Sequence, residues 1–229
     1  MVQFYTAVGQ YKLRRAANGS YPVVILKQKE YILSIQEMIL WSDLMWSVHT
    51  FDELRKTFYQ KVLEAHVPGD AEYDDYLTRL QRRGLIVSGQ GYTAIEALYA
   101  LVAKFYIIPL TERLWTKLGA FLHLTFRRRI SFAVTKKIFK RPKLRPEEKT
   151  LLALVRQAAL TTEDLIRCVD SGTTDISTES NLMAALYPNG IPSPDSRTCF
   201  DGLTSSNRIP VTKAVVNLYL RKQILFEPI

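Results

Sequence analysis

The apolar pattern around residues 73–87 constrains the fold of this chain more than any other part of its sequence. Four residues with the spacing i, i+3, i+4 and i+7 predict the apolar face of a helix: Tyr73, Tyr76, Leu77 and Leu80. Gly84 follows, as is common where a helix ends. Three apolar residues from Leu85 then predict a short strand. A helix that leads at once into a strand needs further elements to cover its apolar face.

Upstream of this helix, three short strands are predicted. Residues 11–15 and 22–27 are rich in strand-forming side chains and flank Asn18 and Gly19, a pair that favours the positive φ angles of a hairpin turn. Residues 30–35 form the third predicted strand. The chain therefore begins with a small antiparallel meander.

Two further helices are predicted between the meander and residue 73. Residues 36–48 are apolar on all sides, which is typical of a buried helix. Thr50 and Glu53 have the spacing of a capping box and begin the next helix. A meander, three helices and an exit strand together predict a winged-helix domain over residues 1–91.

The middle of the chain, residues 92–144, is predicted to be a helical and basic connector. Its first part, residues 92–126, is apolar and helical in pattern, and Pro109 is expected to separate two helices. This part is interpreted as a hairpin packed on the first domain or as a homodimer contact through 92–126. A role at a membrane surface is the weaker alternative.

Residues 145–229 are predicted to form a second domain. Pro146, with Glu147 and Glu148 after it, predicts a helix start. The basic pair and short apolar run that begin at Arg82 are matched by a similar run that begins at Arg221. These features favour a second winged helix, so the fold class is predicted as mainly α with small β-sheets (α+β).

Positive charge is concentrated in one segment. The net charge is +9, and residues 127–149 hold ten Lys or Arg against two Glu. The candidate residues for binding nucleic acid or another anion are Arg127, Arg128, Arg129, Lys136, Lys137, Lys140 and Arg141. A negatively charged membrane, an acidic peptide or no ligand at all are the alternatives.

The sequence offers no pattern for catalysis. His49, His66 and His123 lie far apart, and none has the spacing of a helical zinc pair. Glycine-rich phosphate-binding motifs do not occur, and Gly89-Gln90-Gly91 is interpreted as a tight turn of the wing. We therefore expect a binding protein that is not an enzyme and uses neither a metal nor another cofactor.

Cellular location is predicted from cysteine usage and hydropathy. Two cysteines, Cys168 and Cys199, are too few for a disulfide framework. The N-terminus lacks the pattern of a signal peptide, and the longest apolar run, 97–110, is shorter than the roughly 20 residues that a transmembrane helix needs. A soluble, cytoplasmic protein without a transmembrane segment is expected.

The first domain resembles the PqqD-like peptide-binding domains, also called RiPP recognition elements, over residues 11–88. The resemblance is carried by residues 21–26, 30–36 and 40–44, by T-x-x-E-L from Thr50, and by L-x-x-L-x-x-x-G-L-I from Leu77. The sequence departs from the family between the first two helices, where 47–49 contains no glycine. An ordinary DNA-binding winged helix therefore stays open.

The resemblance implies that a leader peptide is bound as an added strand on the third strand, against the third helix. The site residues it implies are Tyr31, Ile32, Leu33, Ile35, Tyr73, Tyr76 and Leu77. The function expected on this basis is capture of a precursor peptide and its presentation to a modifying enzyme. The alternative is a transcriptional regulator that binds DNA through tandem winged helices.

Overall fold

A computed structural model describes residues 1–16, 19–67, 72–110, 143–187 and 205–229. Within these ranges the chain has the mixed α+β architecture expected from its sequence. The helices are α1 (Ile35–Leu44), α2 (Phe51–Glu64), α3 (Tyr73–Arg82), α4 (Ala94–Val102), α5 (Pro146–Val155), α6 (Thr162–Asp170), α7 (Glu179–Leu186) and α8 (Arg208–Leu220). The strands are β1 (Val2–Ala7), β2 (Gln10–Ala16), β3 (Gly19–Leu26), β4 (Lys29–Ile32), β5 (His49–Thr50), β6 (Ile86–Gly91), β7 (Phe105–Pro109), β8 (Leu160–Thr161) and β9 (Ile224–Pro228).

The strands pair into three antiparallel sheets, two of which have the same topology. Their orders are β5-β1-β6, β2-β3-β4 and β8-β7-β9. We call β1, α1, β5, α2, α3 and β6 the N-module, and β7, α5, β8, α6, α8 and β9 the C-module. Both modules follow the same order along the chain. The meander β2–β4 is inserted between β1 and α1 of the N-module.

The two modules also match in the register of their strands. Phe4 of the central strand β1 pairs with Thr50, and Tyr106 of the central strand β7 pairs with Thr161. On the other side of each central strand, β6 and β9 pair in matching registers. Thr50 and Thr161 each cap the helix that follows through a capping box. The described elements therefore form an internal structural repeat.

The exit from the last helix fixes the correspondence between the modules. Gly84 and Lys222 have the left-handed φ angles of 72° and 59° that end α3 and α8. Each follows an arginine at the C-cap, Arg83 and Arg221. The sequence comparison that matched Arg82 with Arg221 is therefore wrong by one residue. That match aligned the two basic pairs with each other, whereas the residue with the left-handed φ angle determines which positions of the two modules correspond.

The described part of the connector predicted over 92–144, residues 92–110, differs from the prediction, and residues 111–142 lie outside the described residues. Its first helix, α4, is present, but residues 105–109 form β7, the central strand of the C-module sheet. Pro109 ends this strand and does not separate two helices. The C-module therefore begins about forty residues before the predicted boundary at 145, because the alternation of β7 was taken as part of a helical pattern.

Several described apolar residues of this segment are buried within the chain. These five are Ala97, Leu101, Val102, Phe105 and Ile107. They are thus not available for the predicted homodimer contact. The rest of that prediction, residues 111–126, lies outside the described residues.

The glycines of 89–91 form part of a strand and not the predicted tight turn. Gly89 and Gly91 lie in β6, on which α4 packs directly. A Cβ atom at Gly89 would come within 2.3 Å of the Leu101 backbone nitrogen and 2.4 Å of the Ala97 carbonyl oxygen. The glycines therefore allow close contact between strand and helix. In the described N-module, α4 follows where a wing hairpin was expected.

The predicted strands and helices of the N-module differ mainly at their ends. The third predicted strand stops at Ile32, and Ile35 is the first residue of α1, because Ser34 and Glu37 form a capping box there. α1 ends at Leu44, four residues earlier than predicted. Strand β1 was not predicted. Its C-terminal half is buried on both faces, so the polar–apolar alternation that marks a half-buried strand is missing.

The two modules share one hydrophobic core. α8 packs against α4, α5 and α6, and its Tyr219 reaches β1 of the N-module. The Tyr219 ring is stacked on Phe226 with centroids 4.3 Å apart. α8 is buried on almost all sides. This helix, which corresponds to α3, therefore joins the C-module to the N-module.

Candidate functional site

Strand β4 is the outer strand of the meander. It pairs with β3 through Val24–Tyr31 and Val23–Ile32, and no described strand pairs with its other edge. The turn before it is made by Lys27 and Gln28, which both have positive φ angles. A two-residue turn of this kind matches the twist of the two strands. β4 therefore presents backbone N–H and C=O groups along one edge.

Apolar side chains lie beside this edge. Ile32 is 69% exposed and Ile35 is 64% exposed, although both are large apolar residues. Tyr31 points to the opposite face of the sheet and is half-buried. The Lys29 ammonium lies over its ring, 5.3 Å from the ring centroid. The edge thus combines free backbone groups with two exposed isoleucines at its end.

Four of the predicted peptide-binding side chains are buried in the core. Leu33, Tyr73, Tyr76 and Leu77 are each less than a tenth exposed. α3 packs against α1 and β6, which turns its apolar face inward. As the structure stands, this corrects the predicted set, because a groove between β4 and α3 would need these side chains. Tyr31, Ile32 and Ile35 are the predicted residues that stay accessible.

Tyr73 illustrates why the helix face is closed. Its ring lies 5.5 Å from that of Phe51 and 5.4 Å from that of Phe58. Burial among these rings raises the pKa of the Tyr73 hydroxyl, and the nearby Asp74 carboxylate adds to the effect. The residue is thus part of an aromatic cluster between α2 and α3.

The exposed side of α3 is held to the start of α1 by an ion-pair cluster. Glu37 is buried and its Oε2 accepts hydrogen bonds from the Ser34 backbone N–H at 2.9 Å and from Arg83 at 3.3 Å. Arg79 lies 3.7 Å from Oε1 and stacks 4.9 Å above the Tyr76 ring. Glu37 was not among the predicted site residues. The S-x-x-E spacing of Ser34 and Glu37 is the signal that could have found it.

The predicted anion-binding residues, Arg127 to Arg141, lie outside the described residues. The described end of the basic segment, residues 143–149, contains Lys143, Arg145 and Lys149, which are all exposed. Glu148 in the same segment is buried and paired with Arg221 at 2.8 Å. The three cations of the described part are therefore accessible to solvent.

The titratable groups of the described residues show no arrangement for metal binding. No three of their His, Cys, Asp and Glu side chains lie close enough together to hold an ion. Cys168 is buried, and burial raises the pKa of its thiol to about 11. This thiol is protonated at neutral pH and is a poor nucleophile. His123 and Cys199 lie outside the described ranges.

Within the described ranges, none of the helices combines the length and apolar character that are needed to cross a bilayer. Comparison of the chain with protein-family models, with curated proteins and with solved structures finds no match. The resemblance to RiPP recognition elements therefore stays a prediction.

Proposed function

We propose that this chain is a non-catalytic peptide-binding protein that captures a precursor peptide as an additional strand on β4 and presents it to a modifying enzyme. The observation that carries the proposal is the edge of β4 that no described strand pairs with, in a sheet that stands apart from the two repeated sheets. An added strand gains backbone hydrogen bonds along such an edge, and neighbouring side chains select the sequence.

The accessible side chains at the edge support this mode of binding. Ile32 and Ile35 lie at the end of β4 and the start of α1, where a peptide that extends the sheet would pass. Large apolar side chains in water are stabilised when a ligand covers them. Selectivity in this proposal rests on these two isoleucines and on Tyr31, and not on the buried face of α3.

The test is fluorescence polarisation with labelled short peptides encoded beside the gene for this chain. Ile32→Glu and Ile35→Glu are expected to weaken binding at least about tenfold, since each places a charge beside the added strand. Leu63→Glu is the matched control, because Leu63 is 77% exposed and lies on α2. Hydrogen exchange of the complex should show new protection at residues 29–32. Absence of binding, or unchanged affinity in both edge variants, refutes the proposal.

The DNA-binding alternative makes a different prediction. In winged-helix regulators the last helix of the motif enters the major groove. In the C-module this helix, α8, is buried, and in the N-module α3 begins with Asp74 and Asp75. Steeply salt-dependent binding to duplex DNA, with no peptide binding, would favour the alternative through residues 127–149.

A further inference from the structure

The C-module has a cleft at the position that corresponds to an ion-pair cluster of the N-module. In the N-module the carboxylate of Glu37 is flanked by Arg83 and Arg79, and Arg79 stacks on Tyr76. In the C-module Glu148 has the position of Glu37, since its Oε2 likewise accepts from the backbone N–H three residues before it.

One half of the ion-pair cluster is retained in the C-module. Arg221 corresponds to Arg83 and donates to Glu148 Oε2 at 2.8 Å. The other half is lost. Arg83 and Arg221 are both C-cap residues, and their backbone N–H groups donate to the carbonyls of Arg79 and Asn217, respectively. Asn217 therefore stands where the N-module has its second arginine.

The residue beneath that arginine is also replaced by a small one. One turn before Arg79 and Asn217 along their helices, Tyr76 of α3 corresponds to Ala214 of α8. Loss of both the phenol ring and the guanidinium leaves an open cleft of about 180 Å³, lined in part by Glu148, Ala214 and Asn217. The cleft has the position of the missing Tyr–Arg stack.

The replacement removes the second ion-pair partner of the buried carboxylate. Glu148 is 1% exposed, and among the described residues its Oε1 has no hydrogen-bond partner. The Oε1 of Glu37 also lacks a hydrogen bond, but Arg79 lies 3.7 Å from it, whereas Glu148 has no second cation within ion-pair distance among the described residues. A buried charged oxygen without a donor is unfavourable by an amount comparable to a lost charged hydrogen bond. A ligand that brings an N–H donor into the cleft would remove this deficit.

The charges at the rim indicate what else the ligand carries. Arg145 and Lys213 line the cleft at the positions where the N-module has Ser34 and Asp75, and Glu147 lines it as well. A cation alone would face two positive side chains. A ligand with a carboxylate beside its cationic donor fits the rim better. The volume is below the roughly 300–1,000 Å³ of pockets for drug-sized molecules, which suits one amino-acid unit.

We propose that this cleft binds arginine with a free carboxylate, its guanidinium donating to Glu148 and its carboxylate facing Arg145 and Lys213. A guanidinium is the group that Arg79 supplies to Glu37 in the N-module, and its planar set of donors suits a carboxylate. Entry requires the groups that cover Oε1 to move, since this atom is not accessible to solvent in the structure. The site is separate from β4 and independent of the peptide proposal.

The test is calorimetric titration of the full chain with L-arginine, together with NMR of the Asn217 side-chain amide. Arginine should bind at least about tenfold more tightly than citrulline, which lacks the charged guanidinium, and than agmatine, which lacks the carboxylate. Gly-Gly-Arg separates the two sources of this chemistry. Equal or tighter binding of the tripeptide assigns the site to a peptide C-terminus, and preference for free arginine assigns it to the amino acid.

Three variants complete the test. Asn217→Arg places the N-module's own guanidinium in the cleft and should abolish arginine binding. Lys213→Glu, at an exposed position, should weaken it without filling the cleft. Asn181→Arg adds the same side chain on exposed α7 and should leave binding unchanged. The proposal is overturned if arginine produces neither heat nor a shift at about 10 mM, if citrulline binds as well, or if Asn217→Arg and Lys213→Glu both bind like the wild type.

Discussion

The hydroxyl oxygens of Thr6 and Tyr219 lie 2.9 Å apart at the junction of the two modules. Tyr219 also accepts the backbone N–H of Trp46 at 3.0 Å and donates to the Ala7 carbonyl at 3.1 Å. A single phenol from α8 thereby satisfies backbone groups of β1 and of the segment after α1. Because these groups are buried with it, the contact couples the stability of the two modules.

Removing the Tyr219 hydroxyl should destabilise the whole chain. Tyr219→Phe leaves the Trp46 N–H without its acceptor, so we expect a loss of about 1–3 kcal/mol in the free energy of unfolding, measured in urea. Tyr92→Phe is the control, because Tyr92 is 86% exposed. A double-mutant cycle with Thr6→Val should give a coupling energy above about 0.5 kcal/mol. Additive losses, or separate unfolding transitions for the two modules, would contradict the coupling.

The same residue predicts a pH dependence of stability. Burial raises the pKa of Tyr219 from 10.0 to about 12. Between these values the unfolded chain has released this proton and the folded chain has not, so stability falls as pH rises. The contribution is fully present below pH 10 and is lost as pH approaches about 12, roughly 3 kcal/mol at about 1.4 kcal/mol per pH unit.

The measurement is urea unfolding of wild type and Tyr219→Phe at several values between pH 8 and pH 12. Other buried tyrosines, Tyr73 among them, titrate in both proteins and cancel in the difference. The advantage of the wild type over Tyr219→Phe should shrink across this range. A constant difference would show that the phenol is not protected from ionisation.

The repeat predicts unequal effects for two corresponding arginines. Arg221 is the only cation within ion-pair distance of Glu148 among the described residues, whereas Glu37 has both Arg83 and Arg79. Arg221→Met leaves the buried carboxylate with the Arg145 backbone N–H but without a cation, at a cost of about 3 kcal/mol. Arg83→Met should cost clearly less, because Arg79 still faces Glu37.

The control for this pair is the double change Arg79→Met with Arg83→Met, which removes both cations from Glu37. Its loss in the free energy of unfolding, measured in urea, should approach that of Arg221→Met. Both arginines are about a third exposed, so loss of apolar packing is similar at the two positions. Equal losses for the two single variants would show that Arg79 does not support Glu37.

The sequence predicts the local elements better than their partners. The apolar face of α3 and the capping box of Thr50 were found, because each depends on residues a few positions apart. Strands β1 and β7 were missed as the central strands of their sheets. Their partners lie up to about 120 residues away along the chain, and only the fold brings them together.

The candidate site was likewise predicted only where local sequence determines it. The resemblance to RiPP recognition elements implied the edge residues Tyr31 and Ile32, and they lie on an outer strand. The sequence left open whether Tyr73 and Tyr76 face the core or a ligand, because an apolar helix face has the same spacing in both cases. The cleft at Glu148 could not be found from sequence, since it depends on which residue of α8 corresponds to Arg79.

The contact between β6 and α4 gives a final prediction. Gly89→Ala should destabilise the chain by at least about 3 kcal/mol in urea unfolding, because its Cβ would meet backbone atoms of α4, which cannot turn aside as a side chain does. Gly172→Ala is the graded control. Its Cβ would meet nothing within 4 Å, and only the φ of 67° opposes the substitution, at a cost of about 1 kcal/mol. If Gly89→Ala is as mild as Gly172→Ala, α4 can move away from β6, and the glycines are not what sets their distance.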